Sequence, residues 1–556
     1  MIRRVFSLAV AITLFVPSTT FAAGESFEMP SAPGKGYFGF SANTSGMSMA
    51  STAGLSGREV DEKGRIKSVK NCQSLSDPKC ANMNFFMAAA PLPLCIEKIQ
   101  MNCIDSVNAF DSAGKVLKVK TGMKFPGVRP DDFAGDLDAQ LPSGGQVPVV
   151  EIPDAPHNSG ARYMVVVRAY GDVDLRSTAH NRGKFNGNLT GGIFAFKSLS
   201  GGFSMAKNSE NIAEYDAVNY STERIGLGYL GDPRCITNDA TTCAVAQEIP
   251  ADLKFELKVR INFKILNWFS GRMLSPEMNL VELNPGEKLL TISGQVAQTP
   301  IVSRWAKKTE LPASIIDYYK SLPQPIGGTG DIYKEQQSGD PSTWSILRGV
   351  SSLDQNAMDE FLLWLPVFGD KSDYLQSAWS FKSISSYSFN LSCLQSEDGV
   401  AGIVSTNATL YIDGPPVFNS ESMSLEYKVA APHFTPEGEI FKGTYDLQIR
   451  TSLARCLYGF SNAPISATIE IVSESGEKQI AATTVNEKNE WLYLSARGFT
   501  FSSPVIRVKL SQEKASAPGV AVKKLAKEVT ITCAKGKKVQ RIYGVKPKCP
   551  TGYKKR

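Results

Sequence analysis

Three pairs of cysteines share one spacing: Cys72/Cys80, Cys95/Cys103 and Cys235/Cys243 each read C-x7-C. Thiols so placed could ligate a metal or close a disulfide. Eight residues span about 12 Å along a helix and about 26 Å along a strand, whereas a disulfide needs Cα atoms within about 7 Å. Each pair must therefore close a reversal of the chain, and the turn formers in QSLSDPK and TNDATT permit it. Cys393, Cys456, Cys533 and Cys549 complete an even set of ten. Zinc fits poorly, because there is no C-x2-C and the chain has only three histidines. Stapling is the expected chemistry. In the chain-entropy picture it contributes roughly 2.6 kcal/mol for a nine-residue loop and roughly 4.3 kcal/mol for a loop from Cys393 to Cys456. The connectivity itself stays open, since ten cysteines can pair in many ways.

Catalytic chemistry finds little to work with. His157 lies in PDAPHNSGARY and His433 in AAPHFTPEGE, both proline-flanked turns, and His180 is the only other imidazole. The chain has no G-x-S-x-G, H-E-x-x-H or Walker loop. Asp131, Asp132, Asp136 and Asp138, and Asp172 with Asp174, could offer oxygens to calcium but lack the EF-hand spacing, and read better as solvated turn acids. A carboxylate pair for glycoside hydrolysis cannot be picked out, because the distance that matters is spatial. Trp268 beside Phe269, Trp305, Trp344, Trp364, Trp379 and Trp491 are scattered too thinly to define a sugar-stacking platform, and Trp491 reads as core. No catalytic residue, metal or cofactor is expected.

The elements that would carry any site are overwhelmingly strands. In LKFELKVRINFK, residues 253–264, Leu253, Phe255, Leu257, Val259, Ile261 and Phe263 alternate with polar neighbours. That period places one face on a core and the other in water. Residues 385–515 hold seven or eight short strands broken by Gly, Pro, Asn and Asp, a β-sandwich pattern in which Cys393 and Cys456 are expected on separate strands. One segment differs. SSLDQNAMDEFLLWLP carries a capping box, Ser352 with Gln355, and an apolar stripe of Leu353, Ala357, Phe361, Leu362 and Leu365 before Pro366. The fold class expected is mainly β: multi-domain antiparallel β-sandwiches with a short helical insertion and a small disulfide-closed basic C-terminal hairpin. The divisions expected are a signal peptide at 1–22, β domains at 23–200 and 201–320, a connector with the helix at 321–384, a β-sandwich at 385–515, a linker at 516–530 and a basic tail module at 531–556.

Charge and address point the same way. Arg3 and Arg4 precede an apolar run from Val5 to Val16 that is too short to span a bilayer, and small residues around Ala22 suit signal peptidase. Cleavage after Ala22 is expected, with no later transmembrane segment and an extracellular or wall-associated destination. Between Ala521 and Arg556, twelve Lys or Arg face one acid, a net of +11, whereas the whole chain is +6. Residues 1–520 therefore carry −5. Cys533 and Cys549 can close a loop that presents Lys535, Lys537, Lys538, Arg541, Lys546 and Lys548 on a compact knob, with Lys554, Lys555 and Arg556 trailing. Clustered cations on a stapled frame suit a polyanion without base-specific contacts, so no specific nucleic acid is expected.

The ending ITCAKGKKVQRIYGVKPKCPTGYKKR resembles a short basic tail found on many secreted proteins of actinobacteria, ITC-x-KG-K…KPKCP-x-GYKK. The stretches ARCLYGFSNAPISATIEIV…WLYLSARGFTFSSPVIRVKL and NWFSGRMLSPEMNL are similar to parts of uncharacterised secreted proteins of the same group. The resemblance implies an exported β-rich envelope protein and brings no catalytic residues. The expected function is a structural or adhesion protein held by its tail to anionic wall polymer or other envelope components. The alternatives are a secreted polysaccharide hydrolase and a carbohydrate- or protein-binding module. The oligomeric state is not readable.

Overall fold

The computed structural model describes residues 33–34, 36–42, 53–125, 133–176, 182–201, 215–216, 235–238, 241–265, 268–321, 346–350, 355–384, 393, 399–412, 414–459, 465–472, 478–480, 482–501, 505–512, 529–536, 538–544 and 547–556. The chain divides into two compact units, residues 1–511 and 512–556.

In the first unit a long run of hydrogen-bonded strands forms the spine. It passes from Ile66–Asn71 through Gly54–Val60, Phe85–Pro91, Arg162–Asp174 and Phe185–Ser200 to Ser380–Ile384. It continues through Trp268–Arg272, Gly402–Thr406, Gly443–Arg450 and Trp491–Phe499 to Ala482–Lys488. All of these pairs are antiparallel except Trp268–Arg272 with Gly402–Thr406. Strands from the segments 23–200, 201–320, 321–384 and 385–515 all enter this one sheet. Where it turns from Phe185–Ser200 to Ser380–Ile384, Gly191 lies under Phe381. A Cβ there would come within 2.4 Å of the ring, so only glycine fits.

Two further sheets cover parts of the spine, each making a sandwich. The first has the order Leu274–Asn284, Glu287–Gln295, Lys254–Ile261, Cys103–Phe110, Val116–Leu117. The strict alternation of Lys254–Ile261 sends Phe255, Leu257, Val259 and Ile261 inward, where they meet Phe86, Tyr163, Val165, Val167, Leu189 and Ile193. Full burial of such side chains contributes about 1.5–3 kcal/mol each, which explains why the period is kept so strictly here. The second sheet has Leu410–Tyr411, Ser424–Ala430, Val505–Gln512, Ile465–Val472 and Lys478–Ile480 in order, with Val417–Asn419 beside Ser424–Ala430. Its Leu425, Tyr427, Val429, Ile469, Ile471, Ile506 and Val508 pack on Val404, Tyr445, Leu447, Ile449, Leu492 and Leu494 of the spine.

A four-stranded sheet of Tyr37–Ala42, Ala297–Lys307, Ile346–Val350 and Tyr374–Ala378 carries the helices. The helix expected before Pro366 spans Gln355–Trp364 and runs into a 3-10 turn at Leu365–Phe368, while Ser352 lies outside the described residues. Its Phe361 and Trp364 stack on Phe40, with centroids 6.5 and 5.1 Å away. A second helix, Ala313–Ser321, brings Tyr319 to it. Trp364 Nε1 donates to the Tyr319 hydroxyl at 3.0 Å, which donates to Glu360 at 2.5 Å.

A third helix, Thr451–Tyr458, corrects the expectation that Cys393 and Cys456 sit on strands. Cys456 lies on this helix, and Cys393 is itself helical. The reason is local. Leu453, Ala454 and Tyr458 share a buried stripe, and Gly459 at φ 64° caps the end by donating to the Arg455 carbonyl.

Beside the strand Tyr374–Ala378, Glu248 accepts from the Tyr374 hydroxyl and the Ser377 N–H, both at 2.8 Å. Burial raises its pKa above the usual carboxylate value of 4.5, partly offset by hydrogen bonds from Ser377 and Tyr374. The folded chain thus holds the Glu248 proton more tightly than the unfolded one. Stability from this group is present below the unfolded pKa and is lost as pH rises from about 4.5 through the raised folded value. Replacing Glu248 by Gln should remove that fall from a urea-unfolding series taken against pH.

The second unit is small. Val529–Lys535 pairs with Lys538–Gly544, and Cys533 and Ala534 pair with Lys555 and Lys554 on the other side. Gly536, at φ 60°, opens the two-residue hairpin loop, where an L-residue would be strained. The expected hairpin therefore gains a third strand. Cys533–Cys549 closes it around buried Cys533 and Ile531, and so short a core needs such a staple.

Candidate functional site

A cleft of about 790 Å³ opens in the first unit between the outer face of the five-stranded sheet and the hairpin ending in Trp491–Phe499. Its floor is set by strand register. Glu277, Asn279 and Val281 alternate with inward-facing Met278 and Leu280 along Leu274–Asn284. Ser293 lies opposite Glu277, Thr291 opposite Asn279, and Glu256 beyond Ser293. The wall carries Lys488, Glu490, Trp491 and Tyr493.

One end of the edge strand Leu274–Asn284 is clamped. A register shift between Leu274 and Glu277 makes a bulge, with Ser275 at φ 47°, a conformation non-glycine residues seldom adopt. Asp446 holds it by accepting the Ser275 N–H at 3.0 Å, and is itself paired with Arg497 at 2.6 Å and bonded by the Ser495 hydroxyl. Next along, Gln448 takes the place of a strand: its Oε1 accepts the Met278 N–H at 2.7 Å and its Nε2 donates to the Met278 carbonyl at 2.8 Å.

On the wall, Asn489 and Glu490 both have positive φ, 51° and 66°, as a tight two-residue hairpin turn requires. Trp491 is 3% exposed and its face is covered by the Arg450 guanidinium, 4.1 Å from the ring centroid. It is core, as expected, and offers no open face to a sugar. Burial raises the pKa of the Tyr493 hydroxyl, and the charge on Glu277 adds to this against Arg450. Of the cleft acids, Glu256 pairs with Lys258 at 3.4 Å and accepts from Asn108 at 3.0 Å, Asp446 pairs with Arg497, and Glu490 with Arg450 at 3.6 Å. Glu277 and Glu282 have no ion-pair partner among the described residues.

The tail unit is a second candidate. Lys535, Lys548, Lys554, Lys555 and Arg556 are all exposed on its three-stranded frame. Lys538 and Arg541 lie on its edge strand. The side chains of Lys538 and Arg541, and the whole of Lys537 and Lys546, fall outside the described residues. Like charges so close repel one another, and an anionic polymer relieves that repulsion on binding.

The remaining sequence candidates are accounted for by local structure. Cys72–Cys80, Cys95–Cys103 and Cys393–Cys456 are disulfides. Cys243 is disulfide-bonded, and Cys235 starts the neighbouring strand Cys235–Asn238, its side chain outside the described residues. His157 bonds the Arg162 carbonyl at 2.9 Å and meets the Tyr163 ring edge-on, and burial lowers its pKa. His433 bonds the Phe501 carbonyl at 2.8 Å. Asp136 takes the Ala139 N–H in a turn, Asp138 is exposed, and Asp174 pairs with Arg176 at 3.0 Å. Burial and Asp174 raise the pKa of Asp172. Among the described residues no group of three or more His, Cys, Asp or Glu is placed to hold a metal ion. Trp268, Trp364 and Trp379 are buried and Trp305 is half-buried. His180, Asp131, Asp132 and Trp344 lie outside the described residues.

No family model and no curated protein matches this chain. Among the described residues no helix is long and apolar enough to cross a membrane.

The cleft leaves almost no mark in the sequence. Its residues come from three distant stretches, and only Pro276 inside an otherwise strand-like run marks the bulge.

Proposed function

We propose that this chain is an exported, envelope-associated structural or adhesion protein, held to anionic wall polymer by its basic C-terminal unit. The observation that carries the reading is the exposure of Lys535, Lys548, Lys554, Lys555 and Arg556 on a disulfide-closed frame, in a stretch of net charge +11 that follows an acidic body. The resemblance of that ending to tails of secreted actinobacterial proteins supports the same address. A polysaccharide hydrolase has less support, because Glu256, Asp446 and Glu490 in the cleft are already engaged by cationic side chains, and the two acids without an ion pair among the described residues, Glu277 and Glu282, stand on opposite faces of one strand.

The test is co-sedimentation of the mature protein with purified cell walls across a salt series, against a chain ending at Ser516. Pelleting of the full chain should weaken roughly tenfold or more as salt rises from about 50 to 200 mM, by analogy with other polyanions, and should vanish on truncation. Equal pelleting of both chains, or none, sinks the anchor.

A further inference from the structure

We propose that the cleft beside the strand Leu274–Asn284 captures an extended polypeptide segment bearing Lys or Arg, which adds as a new strand to the free edge at Leu280–Glu282. This reading rests on the first unit alone and stands whether or not the tail binds wall polymer.

Among the described residues, the backbone of this strand has unused hydrogen-bonding groups. Met278 spends both its N–H and its carbonyl on Gln448, so at this residue the strand faces away from its ladder partner Glu287–Gln295. Pairing keeps register from Glu277 to Glu282, so the two-residue alternation turns the same groups of Leu280 and Glu282 to the same side. Along this strand Gln448 reaches only Met278 among the described residues. Among those residues no donor or acceptor meets the backbone of Leu280 or Glu282 on that side, which leaves up to about four backbone hydrogen bonds open to an incoming strand.

The side chains around this edge are acidic and apolar. Glu277 stands on the outer face of this strand and Glu282 on the opposite face, both without ion-pair partners among the described residues. Val281 and Leu283, 49% and 43% exposed, give apolar contacts on the outer face beside them. A segment that pairs here sets its alternate side chains against these residues, so basic groups on both its faces find a carboxylate. Five acids and two bases line the cleft, and Lys488, the base with no ion-pair partner among the described residues, stands on the opposite wall. The buried, Arg-covered Trp491 argues against an oligosaccharide as occupant.

The probe is a short acetylated and amidated peptide of alternating Lys and Val, titrated by fluorescence anisotropy against the full mature chain. Two further versions carry N-methyl groups on alternate backbone nitrogens, one for each edge of the peptide. The parent should bind with salt-sensitive affinity, and the version methylated on the pairing edge should bind about tenfold or more weakly, because only strand addition uses those donors. Glu282→Pro removes one outward N–H without touching a ladder bond and should weaken binding by a similar factor. Glu282→Gln, which keeps the donor, should cost roughly threefold or less. A far-ultraviolet spectrum identical to wild type establishes that the proline variant is folded. Absence of parent binding overturns the proposal. So does equal binding of both methylated versions and the parent, wild-type affinity in Glu282→Pro, or capture of a neutral oligosaccharide in place of the peptide.

Discussion

Replacing Arg272 by Ala should destabilise the first unit by about 3–5 kcal/mol, through two buried carbonyls left without a donor and a cavity under Tyr411. Arg272 ends the strand Trp268–Arg272, 2% exposed, in the middle of the spine. No carboxylate meets it among the described residues. Its guanidinium donates to the carbonyls of Ala408, and of Thr409 at 2.6 Å, and lies over the Tyr411 ring at 5.0 Å. Burial pulls its pKa down while Tyr411 and Tyr427 pull it up, but a guanidinium stays charged in either case. The arrangement is a buried cation held by two carbonyl dipoles and a π face, with its Nε–H left without an acceptor among the described residues, and it ties the chain leaving Gly402–Thr406 to the parallel-paired strand beside it. Alanine leaves both carbonyls without their donor and opens a hole under Tyr411. Arg272→Met fills the hole but not the hydrogen bonds, and should cost about 2–4 kcal/mol. Urea unfolding of the two variants separates packing from polar satisfaction. A change below about 1 kcal/mol in both would show that the carbonyls find other partners.

Much of the fold was legible because one physical signal dominated. Phe255, Leu257, Val259 and Ile261 alternate because a sheet with one wet face permits nothing else, and all four are buried. The helix Gln355–Trp364 was legible from its stripe and the following Pro366. Thr451–Tyr458 was not, because it begins directly after the strand Gly443–Arg450 with no breaker between them. Strand order was beyond reach altogether. The parallel pairing of Trp268–Arg272 with Gly402–Thr406 joins residues far apart in the chain, and a period of two says which face is buried but not which neighbour is paired. The cleft was illegible for the same reason: Glu277, Asp446 and Trp491 become neighbours only through that order. The tail's basic character, in contrast, is compositional and needed no topology.

Replacing Asp446 by Ala should cost about 2–3 kcal/mol and, more tellingly, should loosen one strand before the rest. The carboxylate is 4% exposed and gathers the Arg497 guanidinium, the Ser495 hydroxyl and the N–H of Ser275. Alanine leaves the half-buried Arg497 guanidinium without its counter-charge. It also removes the acceptor that holds Ser275 in its strained conformation at φ 47°. That residue can then relax toward ordinary extended backbone, and the bulge that aligns Met278 with Gln448 loses its pin. The Asp446→Asn variant keeps an oxygen for the Ser275 N–H but not the charge, and should cost roughly half as much. Hydrogen exchange distinguishes this from uniform weakening. In Asp446→Ala, amides of Leu274–Asn284 should exchange faster than those of the central strand Lys254–Ile261, whereas equal acceleration in both would mean that Asp446 supports the sandwich as a whole and not the edge strand. Faster exchange confined to the edge strand would also predict weaker capture of an extended peptide, since an incoming strand needs a partner already held in line.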